Sequence, residues 1–136
     1  MKILLLCSSF LLLLSGCKRD PEDVPEDLIV LAMTNGQWVI TQFVHNSTNK
    51  TSDFSPYKFQ FYANRTVDAI KNGSVEISGT WEGNTSNQTI TATFTSATDP
   101  VGLLTGVWTV TDNGWTFVEA NNNAGGQTKT LRLDKQ

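Results

Sequence analysis

Beyond residue 36 the chain repeats one pattern, in which apolar and polar residues alternate with a period of two. In the stretch YKFQF, for example, Tyr57, Phe59 and Phe61 fall on one face, with polar residues between them. This period is typical of half-buried β-strands, because successive side chains of a strand point to opposite faces. The pattern predicts about eight short strands, at residues 37–44, 57–61, 66–71, 74–82, 89–95, 104–110, 114–120 and 128–134.

Each predicted strand has one apolar face, which must be hidden from water. A flat eight-stranded sheet would leave that face wet and two edges unpaired, whereas a barrel removes both problems. A β-sandwich is the competing solution. Short turns favour the barrel, and Gly79 and Gly106 each stand two residues before a tryptophan, where closure needs sharp bends. We therefore predict an all-β fold, an eight-stranded antiparallel up-and-down barrel.

A short helix is expected before the first strand. Asp27 is suited to the N-cap, residues 28–33 are apolar, and Asn35 and Gly36 form a stop signal. The predicted barrel is therefore preceded by one or two helical turns.

The N-terminal segment has the pattern of a targeting sequence. Lys2 precedes an apolar run at residues 3–14, which is shorter than the roughly 20 residues that span a bilayer. The run ends in Leu14-Ser15-Gly16-Cys17, which resembles the lipobox of bacterial lipoproteins. The resemblance implies that the Cys17 thiol receives a diacylglyceryl group and that Cys17 becomes an acylated N-terminus. The alternative is an ordinary signal peptide with a chance cysteine.

These observations divide the chain into a signal peptide at 1–16, a flexible acidic tether at 17–27 and a barrel domain at 28–136. The lipobox resemblance implies a lipid-anchored protein of the cell envelope. Lys18 is not the aspartate associated with inner-membrane retention, so we expect the outer membrane; Lys18 and the acids after it also resemble the surface-export signal of Bacteroidetes lipoproteins. The net charge of −3 argues against nucleic-acid binding.

A second resemblance concerns the barrel. The stretch NGQWVITQF contains Gly36-Gln37-Trp38 after the predicted helix, and this is similar to the G-x-W motif that opens lipocalins. SGTWEG, TGVWTVTDNGWTFVE and the LRLDK ending resemble small lipocalin-like domains of Bacteroidetes lipoproteins, over about residues 28 to 135. The resemblance implies a calycin-like barrel in which Trp38 plugs the closed end and residues 45–56 form a lid. The chain departs from lipocalins in its short length, its lack of a disulfide and the absence of a T-D-Y-type motif.

The bulky rings assigned to the inner face suggest a ligand site. They could line a pocket for a small hydrophobic ligand, or they could fill a barrel of this size completely. Trp38 and Trp115 are placed on the same inner face. The candidate ligand-binding residues are Tyr57, Phe59, Phe61, Trp81, Phe94, Trp108, Phe117 and Glu119, the last as a polar contact inside the mouth or a rim salt bridge with Arg132.

Chemistry-bearing groups are sparse. His45 is the only histidine, and no nucleophile or acid is forced next to it. The barrel region contains no cysteine, no calcium-loop pattern and no phosphate-binding glycine loop, so we expect neither a metal, a cofactor nor an enzymatic activity. The expected partners are the membrane through Cys17, a small hydrophobic ligand and, alternatively, another envelope protein.

Overall fold

The computed structural model describes residues 26–136, with side chains from Leu28 onward. The predicted signal peptide, the proposed anchor Cys17 and residues 17–25 of the predicted tether lie outside the described residues. The helix begins at Glu26, so it takes in the last two residues of that tether. The described residues contain no helix long and apolar enough to cross a bilayer.

The described chain forms a closed antiparallel barrel after one short helix, as predicted. One helix is followed by eight barrel strands, one two-residue strand and three 3₁₀ turns. The bounds are α1 Glu26–Thr34, β1 Trp38–His45, β2 (the two-residue strand) Thr48–Asn49, β3 Tyr57–Phe61, β4 Thr66–Lys71, β5 Ser74–Asn84, β6 Thr89–Thr93, β7 Gly106–Asn113, β8 Phe117–Asn122 and β9 Lys129–Lys135, with 3₁₀ turns at Thr51–Phe54, Val101–Leu104 and Ala124–Gly126. The strands lie in the order β2-β1-β3-β4-β5-β6-β7-β8-β9, and β1 also pairs with β9, which closes the sheet and excludes the sandwich.

The two seams beside β1 differ in how they are closed. Against β9, β1 is paired along its whole length, from Trp38 opposite Lys135 to His45 opposite Lys129. Against β3, only Trp38 is paired, with Phe59. The free backbone of Phe43 is instead met by the segment after β1: Lys50 N–H donates to its carbonyl at 2.8 Å, and its own N–H donates to Thr51 Oγ1 at 2.9 Å. The loop therefore takes the place of a strand on this edge.

Gly79 and Gly106, predicted as sites of sharp bends, allow close contacts between neighbouring strands. A Cβ at Gly79 would lie 2.8 Å from the ring of Phe94 and within contact of the Thr93 carbonyl. Gly106 has a φ of +137° and lies against the buried side chain of Asn122. Only glycine fits these positions without displacing a neighbour.

The barrel has two ends, which we name by what covers them. The helix end carries α1 and the turns at 62–65, 85–88 and 114–116. The loop end carries the connections at 46–56, 72–73, 94–105 and 123–128. Because the strands run alternately up and down, the long connections all gather at the loop end.

Candidate functional site

The barrel interior is occupied by side chains, and a small void of about 60 Å³ lies among them. Phe59, Phe61, Phe94 and Trp108 line it, and the atoms that face it are almost entirely apolar. A volume of this size corresponds to about two molecules of liquid water, and voids with apolar walls stay dry. Pockets that bind small molecules typically measure about 300–1,000 Å³.

The remaining predicted rings contribute to this packing. Trp81 is 2 % exposed, and its ring meets that of Phe61 edge-on at 5.5 Å. Tyr57 is also buried and stacks on Phe59 at 6.2 Å. Six of the eight candidate ligand-binding residues therefore point inward, as predicted: Tyr57, Phe59, Phe61, Trp81, Phe94 and Trp108. Tyr57 and Trp108 also contact rings outside this set, those of Phe54 and Phe43.

The inward orientation predicted for Phe117 and Glu119 is wrong. On β8 the buried residues are Val118, Ala120 and Asn122, so Phe117 and Glu119 lie on the outer face. Both faces of this stretch carry apolar residues in the sequence. The inner face was predicted from the larger aromatic rings, which lie on the outer face. The small residues face inward because the interior beside β8 is already filled, with Val118 and Ala120 lining the residual void.

Trp115 was also placed inside by its sequence pattern, and this prediction is wrong. It precedes β8, in the turn at 114–116, and is 59 % exposed. The alternation of inward and outward side chains in a strand does not extend into a turn. The spacing of Trp115 from the residues of β8 therefore does not indicate whether its side chain points into the barrel.

The outer face of β8 and β9 carries a polar cluster. Arg132 pairs with Glu119 at 2.7 Å and with Asp134 at 2.9 Å, and its guanidinium lies 4.6 Å from the ring centre of Phe117. Hydrogen bonds from Arg132 and then from Thr41 lower the pKa of Asp134. The predicted contact between Glu119 and Arg132 is therefore present, on the outer face of the sheet. Because all three charged groups satisfy each other, the cluster stabilises the β8–β9 seam.

The helix end is closed by α1 and Trp38. Trp38 is fully buried and donates from Nε1 to the Met33 carbonyl at 2.9 Å. Lys135 Nζ donates to the Ala32 carbonyl at 2.8 Å and lies 4.9 Å from the Trp38 ring centre. Trp38 thus occupies the plug position that the lipocalin resemblance implies.

The loop end is closed as well, by side chains that the sequence analysis did not single out. Phe54 and Val101 are each 1 % exposed, and the Phe54 ring lies 4.8 Å from that of Phe43. Trp108 Nε1 donates to the Leu104 carbonyl at 2.8 Å. The segment predicted as a lid is thus packed into the core by Phe54. A lone aromatic residue in the polar stretch HNSTNKTSDFSP was the signal that could have revealed this.

Lys129 is a second feature of the loop end that sequence reasoning missed. It is 8 % exposed, donates to the Leu103 carbonyl at 2.9 Å and lies 5.6 Å from the Trp108 ring centre. Burial lowers the pKa of this lysine, and the charge of Asp99 opposes that shift. Its ammonium group ties β9 to the 94–105 segment.

A surface groove of about 220 Å³ also opens at the loop end, between β5 and the 94–105 segment. Ile77, Ala97 and Val101 contribute its apolar part, and Glu76 and Thr98 its polar part. Glu76 accepts a hydrogen bond from the Tyr57 hydroxyl at 2.6 Å and pairs with Lys71 at 3.6 Å. Burial and then this carboxylate raise the pKa of Tyr57 to about 12.

The remaining titratable candidates form no recognisable catalytic group. His45 Nε2 lies 3.1 Å from Gln127 Oε1 and 3.4 Å from the Asn46 amide nitrogen, both amide partners. Among residues 26–136 there is no cluster of three or more histidine, cysteine, aspartate or glutamate side chains able to hold a metal ion.

Comparison with known proteins supports the fold and goes no further. No protein-family model and no curated protein sequence matches this chain. The crystal structure of a DUF4847 family protein from Bacteroides vulgatus is similar to it, with a TM-score of 0.56 and 12 % sequence identity. The match covers 79 % of this chain and 99 % of that one. The chain therefore has the barrel fold of that Bacteroides protein, while its likeness to lipocalins rests on sequence motifs.

Proposed function

We propose that this chain is a lipid-anchored protein of the cell envelope whose solid-core, lipocalin-like barrel acts as a structural or protein-interaction module. The observation that carries the proposal is the size of the interior void, about 60 Å³, in a barrel whose two ends are both closed by buried side chains. A barrel without an interior pocket can bind a partner only through its outer surface and its loops. The lipobox-like sequence before Cys17 supports the anchor.

The alternative, binding of a small hydrophobic ligand inside the barrel, requires more room than the interior offers. A fatty acid or similar molecule would have to displace Phe54 or Leu104 to enter and then several interior rings to fit. Each such displacement exposes apolar surface and costs about 1.5–3 kcal/mol per large side chain. The proposal therefore places recognition on the outside, and a carrier function becomes the outcome that would overturn it.

The arrangement of polar groups supports a non-enzymatic role within this proposal. Arg132 pairs with both Glu119 and Asp134 on an outer face, and Glu76 is held by Tyr57 and Lys71. General acid–base or nucleophilic catalysis needs such groups within reach of a substrate and of a base or acid partner. In residues 26–136 each of these carboxylates already has a structural partner.

Ligand binding is tested by titrating the purified protein with a panel of fatty acids and other hydrophobic molecules while tryptophan fluorescence is recorded. Trp38, Trp81 and Trp108 are buried, so any ligand entering the barrel would change their emission. We expect flat titrations. Saturable quenching that persists in Trp115→Phe, which removes the exposed indole, would show an interior site and overturn the solid-core module.

The interaction role is tested by placing a photo-reactive amino acid at Thr98, on the rim of the loop-end groove, in cells that make the lipoprotein. Thr111 is an exposed threonine on β7 and provides the matched control position. We expect a defined crosslinked protein band from position 98 and not from position 111. The absence of crosslinks at 98, together with binding of a hydrophobe, would favour the carrier function instead.

The anchor is tested separately by mass spectrometry of the N-terminal peptide from membranes. We expect a thioether-linked diacylglyceryl group on Cys17 and loss of membrane retention in Cys17→Ser. An unmodified thiol at position 17 would overturn the anchored location while leaving the solid-core barrel in place.

A further inference from the structure

Four of the six large apolar side chains exposed on the described surface belong to the helix end. The hydroxyl of one of them, Tyr62, donates to Asp68, and the other three lie on α1 and in the 114–116 turn. Leu28 and Leu31 on α1 are 38 % and 56 % exposed, and Trp115 in the 114–116 turn is 59 % exposed. Burying them against another apolar phase would be favourable, at about 25 cal/mol per Å². We call these three residues the helix-end patch.

The patch is held together by the last residues of the barrel. The backbone N–H of Lys135 donates to the Thr116 carbonyl at 2.8 Å, and its Nζ donates to the Ala32 carbonyl at 2.8 Å. One residue of β9 thus joins the turn that carries Trp115 to the helix that carries Leu31. The two elements that carry the patch are therefore joined at the same end of the barrel.

The chain enters the barrel at this same end. Eight residues, 18–25, lie between the proposed anchor Cys17 and Glu26, the first residue of α1, so nine Cα–Cα steps join the two. Fully extended chain reaches about 3.3–3.6 Å per residue, so those residues span at most about 30 Å. A lipidated Cys17 therefore keeps the first residue of α1, the helix that carries Leu28 and Leu31, within about 30 Å of the bilayer surface.

We propose that the helix-end patch lies in the interface of the lipid bilayer that holds the Cys17 lipid, so that the loop end points away from the membrane. This inference rests on the lipid anchor of the proposed function. Tryptophan is favoured at the boundary between headgroups and acyl chains because its ring is apolar and its N–H remains hydrated. Because the lipid anchor holds the domain at the bilayer, contact between the patch and the bilayer is intramolecular, and a patch of low intrinsic affinity is sufficient. Such an orientation leaves the loop end free for a protein partner.

Trp115 is the natural probe, because it is the exposed member of the four tryptophans in the chain. The mature lipoprotein, beginning at Cys17, is reconstituted in phosphatidylcholine vesicles with brominated or unmodified acyl chains, and its tryptophan emission is compared. Bromine quenches only indoles that reach the acyl region. In the unchanged protein, we expect brominated vesicles to lower the tryptophan emission by the share that Trp115 contributes. In the Trp115→Phe variant, we expect the emission to be the same in brominated and unmodified vesicles.

A second variant tests the leucine part of the patch. Leu31→Glu places a charge on an exposed helix position, where folding should tolerate it, and is expected to reduce the quenching of Trp115 in the brominated vesicles. Lys58→Glu, an exposed charge change on β3, is the matched control and should leave quenching unchanged. Thermal unfolding of both variants shows that the barrel is retained.

The outcomes separate the patch from the anchor. Protein that floats with the vesicles but is equally fluorescent with both lipids would overturn the patch proposal and leave the anchor intact. Protein that does not float with the vesicles would overturn the anchor. The quenching experiment is then repeated on the chain that begins at Cys17, after its thiol has been coupled to a maleimide lipid. Concentration-dependent burial of Trp115 without vesicles would show a second copy of the chain on the patch and would also overturn the proposal.

Discussion

The indole nitrogen of Trp38 donates a hydrogen bond to the carbonyl oxygen of Met33, 2.9 Å away in the last turn of α1. The bond joins the only helix among residues 26–136 to the first strand of the barrel, and both partners are buried. It satisfies a carbonyl at a helix C-terminus, where four carbonyls lack partners within the helix. The helix is thus bound to the barrel by a buried polar contact as well as by apolar packing.

Replacement of Trp38 should destabilise the whole domain. Trp38→Phe removes the donor to the Met33 carbonyl and leaves a space beside the helix, and we expect the free energy of unfolding to fall by about 2–4 kcal/mol. Chemical denaturation followed by circular dichroism measures this. Trp115→Phe is the same change at an exposed site and should alter stability by no more than about 0.5 kcal/mol. Equal effects at the two positions would contradict the plug role.

Gly79 should not tolerate a side chain. A Cβ there meets the Thr93 carbonyl and the Phe94 ring, and the backbone oxygen cannot move without opening the β5–β6 pairing. We expect Gly79→Ala to cost about 3 kcal/mol or more. Gly73 has a φ of +84° but open space around it, so Gly73→Ala should cost only about 1–2 kcal/mol from backbone strain. A smaller loss at position 79 than at position 73 would argue against close strand contact as the reason for Gly79.

The inner face of β8 can be tested with two adjacent residues. Val118 is 6 % exposed and lines the void, so Val118→Ala should lower the free energy of unfolding by about 1–3 kcal/mol. Glu119 pairs with Arg132 on the outer face, and Glu119→Ala should cost at most about 1 kcal/mol, because Arg132 keeps Asp134 as a partner. Urea unfolding of both variants decides between the two orientations. A larger loss of stability for Glu119→Ala than for Val118→Ala would indicate that Glu119 points into the barrel, as the sequence pattern predicts.

Much of the fold could be read from the sequence, because strand periodicity is a local property. The β3 and β4 bounds agree with the predicted ranges, and closure followed from the need to hide one apolar face. The helix could also be anticipated from its local start and stop signals, and the Trp38 plug from the resemblance of Gly36-Gln37-Trp38 to the lipocalin motif. These features depend on neighbours in the chain.

The parts that could not be predicted depend on contacts between distant residues. Phe54 and Val101 close the loop end from two connections 47 residues apart, and nothing local indicates that they meet the same core. The register shift between Val110 and Asp112 bends β7 against β8, a detail that periodicity cannot supply. The size of the interior void likewise depends on every facing side chain at once, so the sequence leaves pocket and solid core as alternatives.

The hydroxyl of Tyr57 should make stability depend on pH in the alkaline range. Burial and the hydrogen bond to Glu76 raise its pKa from 10.0 to about 12 in the folded protein. Between pH 10 and 12 the unfolded chain releases this proton while the folded chain retains it, so the stabilisation present below pH 10 is progressively lost as the pH rises through that window. We expect the free energy of unfolding to fall less steeply over this range in Tyr57→Phe than in the unchanged protein.

The second tyrosine, Tyr62, provides the matched control for this titration. It is 41 % exposed, and the hydrogen bond that it donates to Asp68 raises its pKa. Because solvent screens an exposed pair, Tyr62→Phe should flatten the alkaline loss of stability less than Tyr57→Phe does. If the free energy of unfolding falls equally steeply with pH in Tyr57→Phe and in the unchanged protein, the hydrogen bond to Glu76 does not raise the pKa of Tyr57. The link between β3 and β5 at the loop end would then have to rest on ring packing alone.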